Sequence, residues 1–308
     1  MTRYLVIRLL ESAVTVWGVV TIVFFSLRLT GDPVLLLLPL GSTPDQVEQL
    51  RHALGFDRPL PLQYLVFLEH IVRGDFGIST RFGSPALPVV LERLPATMEV
   101  ALLAMLVAAL LGGAAGIVAA MRPNSRFELA AMGAALLGQA TPVFWLAIML
   151  ILVFAAWLHW LPSGGFGGLD HLILPVITLA TYSSASIARL LRASLLAVRA
   201  QDYHRTARAK GLAEWRILLR HLLKNALIPV ITVFGLQVGL LLGGAVITET
   251  VFSWPGEGRL IVQAIQNRDF PVVQAATCVF AIMIIGVNLL VDLTYSVLDP
   301  RIRYAEGE

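Results

Sequence analysis

The chain has 308 residues, of which 57% are hydrophobic and only 14% charged, with a mean hydropathy of +0.78. Soluble domains carry about a quarter charged residues, so the polar surface is too small to cover a water-facing globule. The formal charge of +3 is small, so its distribution matters more than its sum, and Cys278, the only cysteine, excludes an intrachain disulfide and a cysteine-based metal site.

The apolar residues come in long blocks, and roughly 20 in a row suffice for a helix to cross a hydrocarbon core of about 30 Å. An all-α integral membrane fold with about six transmembrane helices is therefore predicted. The first apolar run, residues 9–27, follows Arg3 and Arg8, a charge pattern shared with secretory signal peptides. Glu11 interrupts its start, the run is long and no A-x-A site closes it, so an uncleaved helix is expected. In the loop that follows, residues 43–54 have an amphipathic pattern opened by Thr43-Pro44-Asp45, a helix start. The glycines of Arg73-Gly74-Asp75-Phe76-Gly77 predict a tight turn. This loop reads as a small ordered cap, with a solvated linker as the plainer alternative.

The second span, residues 97–121, contains Gly112, Gly113 and Gly116. The third, 129–158, is long for one crossing and carries Pro142. The fourth, 172–191, is the weakest, with Pro175 and a polar stretch at 181–186. The fifth, 226–248, contains Gly235, Gln237, Gly239, Gly243 and Gly244, and the sixth covers 272–298. Small residues let helix backbones approach closely in lipid, so the glycines are read as packing positions. Gln139, Thr141 and Gln237 are polar at membrane depth, which fits either lining a translocation pathway or bonding between helices.

Lys and Arg are retained on the cytoplasmic side. Arg3 and Arg8, then Arg122 and Arg126, mark the first two inner segments, and Arg301 and Arg303 mark the tail. The connection between spans four and five adds Arg189, Arg192, Arg199, Arg205, Arg208, Lys210, Arg216, Arg220 and Lys224, while the short outer loop 159–171 has no Lys or Arg. Both termini are expected in the cytoplasm. The expected organisation is residues 1–96 as the first helix plus a long extracytoplasmic loop, and 97–308 as a core of five helices.

The connection itself is patterned. Residues 199–210 read as one helix, with Ala200, Tyr203 and Ala207 on one face, and Gly211 stands where a left-handed cap would close it. A second helix is expected to carry Trp215, Leu218, Leu219 and Leu222 on one side and Arg216, Arg220 and Lys224 on the other. This helix–Gly–helix unit suits a docking knob for a cytoplasmic partner. An interfacial helix holding anionic lipid is the alternative for its basic side. A nucleic-acid-binding helix-turn-helix is disfavoured between two spans, so no nucleic-acid partner is expected.

The stretch Asp202-Tyr203-His204-Arg205-Thr206-Ala207-Arg208-Ala209-Lys210-Gly211-Leu212, followed by Leu219-Arg220-His221 and Asn225-Ala226-Leu227-Ile228-Pro229, resembles the signature loop of binding-protein-dependent ABC importer permeases, in their dipeptide/oligopeptide/nickel branch. Further matches are Gly74-Asp75-Phe76-Gly77, Leu94-Pro95-Ala96-Thr97, the run from Thr248 to Gly256, Asn267-Arg268-Asp269-Phe270-Pro271, and Asp299-Pro300-Arg301-Ile302-Arg303-Tyr304. The wider superfamily's Glu-Ala-Ala is Arg205-Thr206-Ala207 here, as is usual in this branch, and Glu257 stands where an apolar residue is common. The resemblance implies a type I importer half-channel in a prokaryotic plasma membrane. It implies a homologous second permease, two ABC ATPase subunits or a fused ATPase that hold ATP and Mg, and an extracytoplasmic substrate-binding protein. It also implies that Tyr203, Arg205, Thr206, Ala207, Arg208, Ala209, Lys210 and Gly211 form the helix that couples to the ATPase.

A Walker A loop needs Gly-Lys-Ser/Thr, and the only lysines, Lys210 and Lys224, follow Ala209 and Leu223. No cofactor is therefore expected on this chain, and no enzymatic role. Glu11, Asp292 and Glu249 lie near span ends, where helix-terminal or interfacial roles are expected. A self-sufficient secondary transporter or channel is the rival. It would call for an ionisable group near the midplane or for repeated halves, and neither is visible in the sequence.

Overall fold

Long apolar runs fold as long helices because lipid leaves backbone polar groups no partner except one another. A computed structural model describes residues 2–29, 34, 38, 43–53, 55 and 57–298. Among them helices dominate, with one isolated antiparallel bridge between Ile78 and Pro85. Leu54, Arg301, Arg303 and the Asp299–Tyr304 motif lie outside the described residues. The chain divides into two compact units, Met1–Pro95 with Gly256–Ile285 and Ala96–Pro255 with Gly286–Glu308.

In the first unit, α1 (Thr2–Leu29) carries Glu11 in an exposed ion pair with Arg8, one turn away at 3.2 Å. Its buried Phe24 packs edge-on to Tyr64 and at a tilt against Phe67 of α3 (Leu60–Val72). Between them α2 (Pro44–Ala53) begins with a capping box. Thr43 N–H donates to Gln46 Oε1 at 2.9 Å and Gln46 N–H to Thr43 Oγ1 at 3.4 Å, satisfying donors that the first helical turn leaves open. The predicted turn at residues 73–77 is present, with Gly74 and Gly77 at positive φ. After it, α4 (Ala86–Met121) packs Ala86, Val89 and Val90 against α11 (Glu257–Gln266) and α12 (Phe270–Leu298). Glu257 is buried in the first turn of α11, where an acidic group opposes the positive end of the helix dipole.

In the second unit, α4 lies close against α7 (Leu169–Arg199). A Cβ on Gly112 would fall 2.5 Å from Ser184 O, and one on Gly116 would fall 2.8 Å from Ala188 O. These glycines are packing positions, as expected. Of the four helices that pass as single spans, α7 is the least apolar and the most enclosed by the rest of the protein. Its weak apolar signal has a physical reason, since a helix walled in by protein can carry hydroxyls such as Thr178, which bonds back to Leu174 O at 2.8 Å.

The predicted third span is not one helix. It is α5 (Arg126–Ala140) followed by α6 (Val143–Leu150, continued as a π-helix over Ile151–Trp157), with a bend of 107° between them. Pro142 has no N–H for the helical ladder and pushes the preceding residue out of helical geometry. Thr141 is accordingly extended, at φ −78 and ψ 123. Among the described residues, four helices are long and apolar enough to cross a membrane, or five if this bent pair counts as one. The remaining helices, α8 (Asp202–Ala209), α9 (Glu214–Ile217) and α10 (Leu223–Val251), build the candidate coupling site.

Candidate coupling and translocation sites

The polar connection folds as a bent knob at the ends of two long helices. Helix α7 runs on past the predicted span end to Arg199, and the helix expected over 199–210 is shorter, because Gln201 is extended before α8 starts. Gly211 follows Lys210 at φ +71, a conformation that L side chains rarely adopt. The chain then enters α9, which continues through a π-helical stretch, Leu218–Leu222, into α10 without leaving helical geometry. The knob is thus joined to α10 by continuous helix.

One face of α8 is buried through His204 and Ala207, both 5% exposed, while Tyr203, Arg205, Thr206, Arg208, Ala209, Lys210 and Gly211 are all exposed. Ala207 points inward with His204, so the expected grouping of Tyr203 with Ala207 on one face is split. Tyr203 instead stays outside and accepts a hydrogen bond from Asn225 Nδ2 at 3.1 Å. Arg208 Nε donates to Glu214 Oε1 at 2.6 Å, bracing the two sides of the Gly211 turn. Burial, then the nearby Arg199 and Arg208 charges, holds the His204 imidazole below its ordinary pKa, with Glu214 opposing. In the second helix the predicted apolar face is split. Ile217 and Leu222 are buried, but Trp215 and Leu219 are 60% and 59% exposed, and the Arg216 guanidinium lies 5.3 Å from the Trp215 ring centroid.

The polar residues at membrane depth fall into two places. Gln139 and Thr141 stand at the break between α5 and α6, where the Thr141 hydroxyl donates to Leu137 O at 2.7 Å and Arg189 Nη1 donates to Gln139 Oε1. Gln237 is buried within α10, and its Oε1 has no hydrogen-bond partner among the described residues.

Residues 112–304 match the model of the binding-protein-dependent transport system inner membrane component, and residues 1–101 match that of the N-terminal part of such membrane components. The chain belongs to this family. The dipeptide transport system permease protein DppB of Alkalihalophilus pseudofirmus is 41% identical over 314 residues, covering 92% of this chain and 94% of that protein. DppB of Escherichia coli K12 is 40% identical over 339 residues, with 99% of each chain covered. In fold, 68% of the chain superposes on 96% of a chain of the MetNI methionine ABC transporter, with a TM-score of 0.59 and 16% identity. The chain is an integral membrane permease subunit of an ABC importer and not an enzyme; ATP hydrolysis lies in partner subunits. The secondary-transporter alternative falls with that membership.

Two further clusters in this permease escaped sequence reasoning as pairs, although their motifs were singled out. Glu249, in the last turn of α10, is 1% exposed and accepts a 2.6 Å bond from the Thr97 hydroxyl. Beside it, Trp254 Nε1 donates to Ala96 O at 2.9 Å. The Leu94–Thr97 and Thr248–Gly256 motifs therefore meet in space. Likewise Asp269, 1% exposed, accepts 2.5 Å from Ser79 Oγ and lies 3.3 Å from Arg81 N, which ties the turn after Gly74–Gly77 to the start of α12. The family resemblance singled out their motifs, but only the fold pairs them.

Proposed function

We propose that this permease forms half of a translocation pathway for peptides or a related small solute delivered by an external binding protein. The observation that carries the reading is the exposed basic knob of α8 and Gly211, braced by Arg208 and Glu214 and continuous with α10. In this account the exposed residues Tyr203, Arg205, Thr206, Arg208, Ala209, Lys210 and Gly211 dock into an ATPase subunit, while Ala207, expected among them, is buried and anchors α8 from behind. Closure of two ATPases, which bind the ATP and Mg, then swings α7 and α10 as rigid levers. The chain crosses a prokaryotic plasma membrane six times, the bent α5–α6 pair counting as one, with both termini cytoplasmic. Residues 1–96 supply the first helix and the outer cap, and residues 97–308 supply the core. A homologous second permease completes the channel, Gln139, Thr141 and Gln237 line it, and Arg216, Arg220 and Lys224 meet lipid headgroups. The peptide assignment rests on the DppB relatives.

Affinity purification of the tagged chain in mild detergent, with mass spectrometry of its companions, tests the assembly. A second permease and Walker-containing ATPases in near-stoichiometric yield are expected; a chain that purifies alone and still moves solute in liposomes overturns the proposal.

A further inference from the structure

The sequence shows no charge near the middle of a span, because the Arg189 backbone belongs to the cytoplasmic end of the fourth. Its side chain tells a different story. Gly138 of α5 lies against the middle of α7: a Cβ there would sit 3.0 Å from Thr181 Cγ2 and 3.9 Å from Ala185 Cβ. Gln139, the next residue, is therefore level with that part of α7. Thr181 and Ala185 lie two turns and one turn, about 12 and 6 Å, to the N-terminal side of Arg189, yet Arg189 Nη1 donates to Gln139 Oε1. The guanidinium must reach from its backbone toward the middle of the span, the direction in which helical side chains already lean.

An arginine head at that depth is costly against lipid and normally faces protein or a water-filled cavity. The other arginines farther along α7 are engaged locally, Arg192 with Glu128 and Arg199 with Ala120 O. Arg189 is exposed and has no carboxylate within 4 Å among the described residues. A guanidinium has five N–H donors in a fork that matches a carboxylate, and the Gln139 bond occupies one of them. The site adjoins the Thr141–Pro142 break, where the 107° bend interrupts the helix, the kind of discontinuity around which transporters build binding sites.

We propose that Arg189, steadied by Gln139, binds the carboxylate of the cargo as it passes through the pathway. The inference rests on the peptide reading above and deepens it, by requiring a free carboxylate on the substrate. The test uses the complete transporter, this chain with its second permease and ATPases, purified without the binding protein. Equilibrium binding of radiolabelled dialanine is compared with that of dialanine amide. A preference for the carboxylate of at least about tenfold, the value of one charge-assisted hydrogen bond, is expected in the natural chain. Arg189→Lys keeps most of it, Arg189→Gln brings it near parity, and Gln139→Leu, which leaves the charge without its support, shrinks it severalfold. An unchanged preference in Arg189→Gln overturns the proposal, as does a loss in Arg189→Lys equal to that in Arg189→Gln. If the natural chain binds neither probe, the peptide reading fails, and position 189 is judged separately. Arg189→Cys in a Cys278→Ser background then reacts with membrane-impermeant thiosulfonates if the site faces a water-filled path; protection from both sides of the membrane overturns the proposal.

Discussion

Gly211 offers a clean separation between backbone strain and docking chemistry. Its φ is +71, and an added Cβ would meet nothing within 4 Å, so a side chain there suffers no clash inside this chain. The penalty for Gly211→Ala is therefore conformational, about 1–2 kcal/mol for an L residue in the left-handed region, or roughly a five- to thirtyfold loss of the formed turn. Asn tolerates this conformation better than Ala, so Gly211→Asn restores most of the loss. Asp is nearly isosteric with Asn and also tolerates it, so the difference between Gly211→Asp and Gly211→Asn isolates a negative charge on the basic knob. The assay is the amount of ATPase retained on the affinity-purified chain, together with the ratio of solute moved to ATP hydrolysed. The expected order is natural chain, Asn, Ala, with Asp well below Asn in coupling. Equal coupling for Asp and Asn would refute the argument that this face docks on a partner.

Gly116→Ala forces α4 from α7 through the clash with Ala188 O and should destabilise the chain by about 1–3 kcal/mol, whereas Gly113→Ala, with nothing within 4 Å, should not; melting of the two detergent-solubilised variants decides. Burial holds His204 below its ordinary value of 6.5, so its neutral form is the folded one. The knob then has its full stability above about pH 6.5 and loses it as pH falls toward the folded value, because the unfolded segment takes up its proton first. Hydrogen-exchange protection factors of residues 202–209 should drop over that window, and His204→Gln should flatten the profile. Asp269→Ala leaves the buried Ser79 hydroxyl without its 2.5 Å partner, at a cost of about 1–3 kcal/mol. Adding Ser79→Ala should recover part of that loss, and strict additivity in the double-mutant cycle would contradict the contact.

The membrane class, the helices near the predicted spans and the bent knob at Gly211 were legible because each depends on local composition. Apolar run length specifies a crossing, and glycine after a basic helix end specifies a left-handed turn. The 107° break was only half legible, since Pro142 announces an interruption and not its angle. The stop of α7 at Arg199 was illegible, since Ala200-Gln201 carries no glycine or proline to punctuate it. Which of Tyr203 and His204 turns inward depends on what α8 packs against, and the pairing of Glu249 with Thr97, 152 residues away, depends on the tertiary fold. Arg189 shows the limit best: its backbone position reads as cytoplasmic, while its head bonds to Gln139 at the break between α5 and α6.

The central claim is that this chain moves solute only as one part of an ATP-driven assembly worked through its cytoplasmic knob. The direct measurement is uptake into proteoliposomes, comparing the chain alone with the chain plus its second permease, ATPases and binding protein, with and without ATP. Uptake is predicted only for the full assembly with ATP, and uptake by the chain alone would contradict the account.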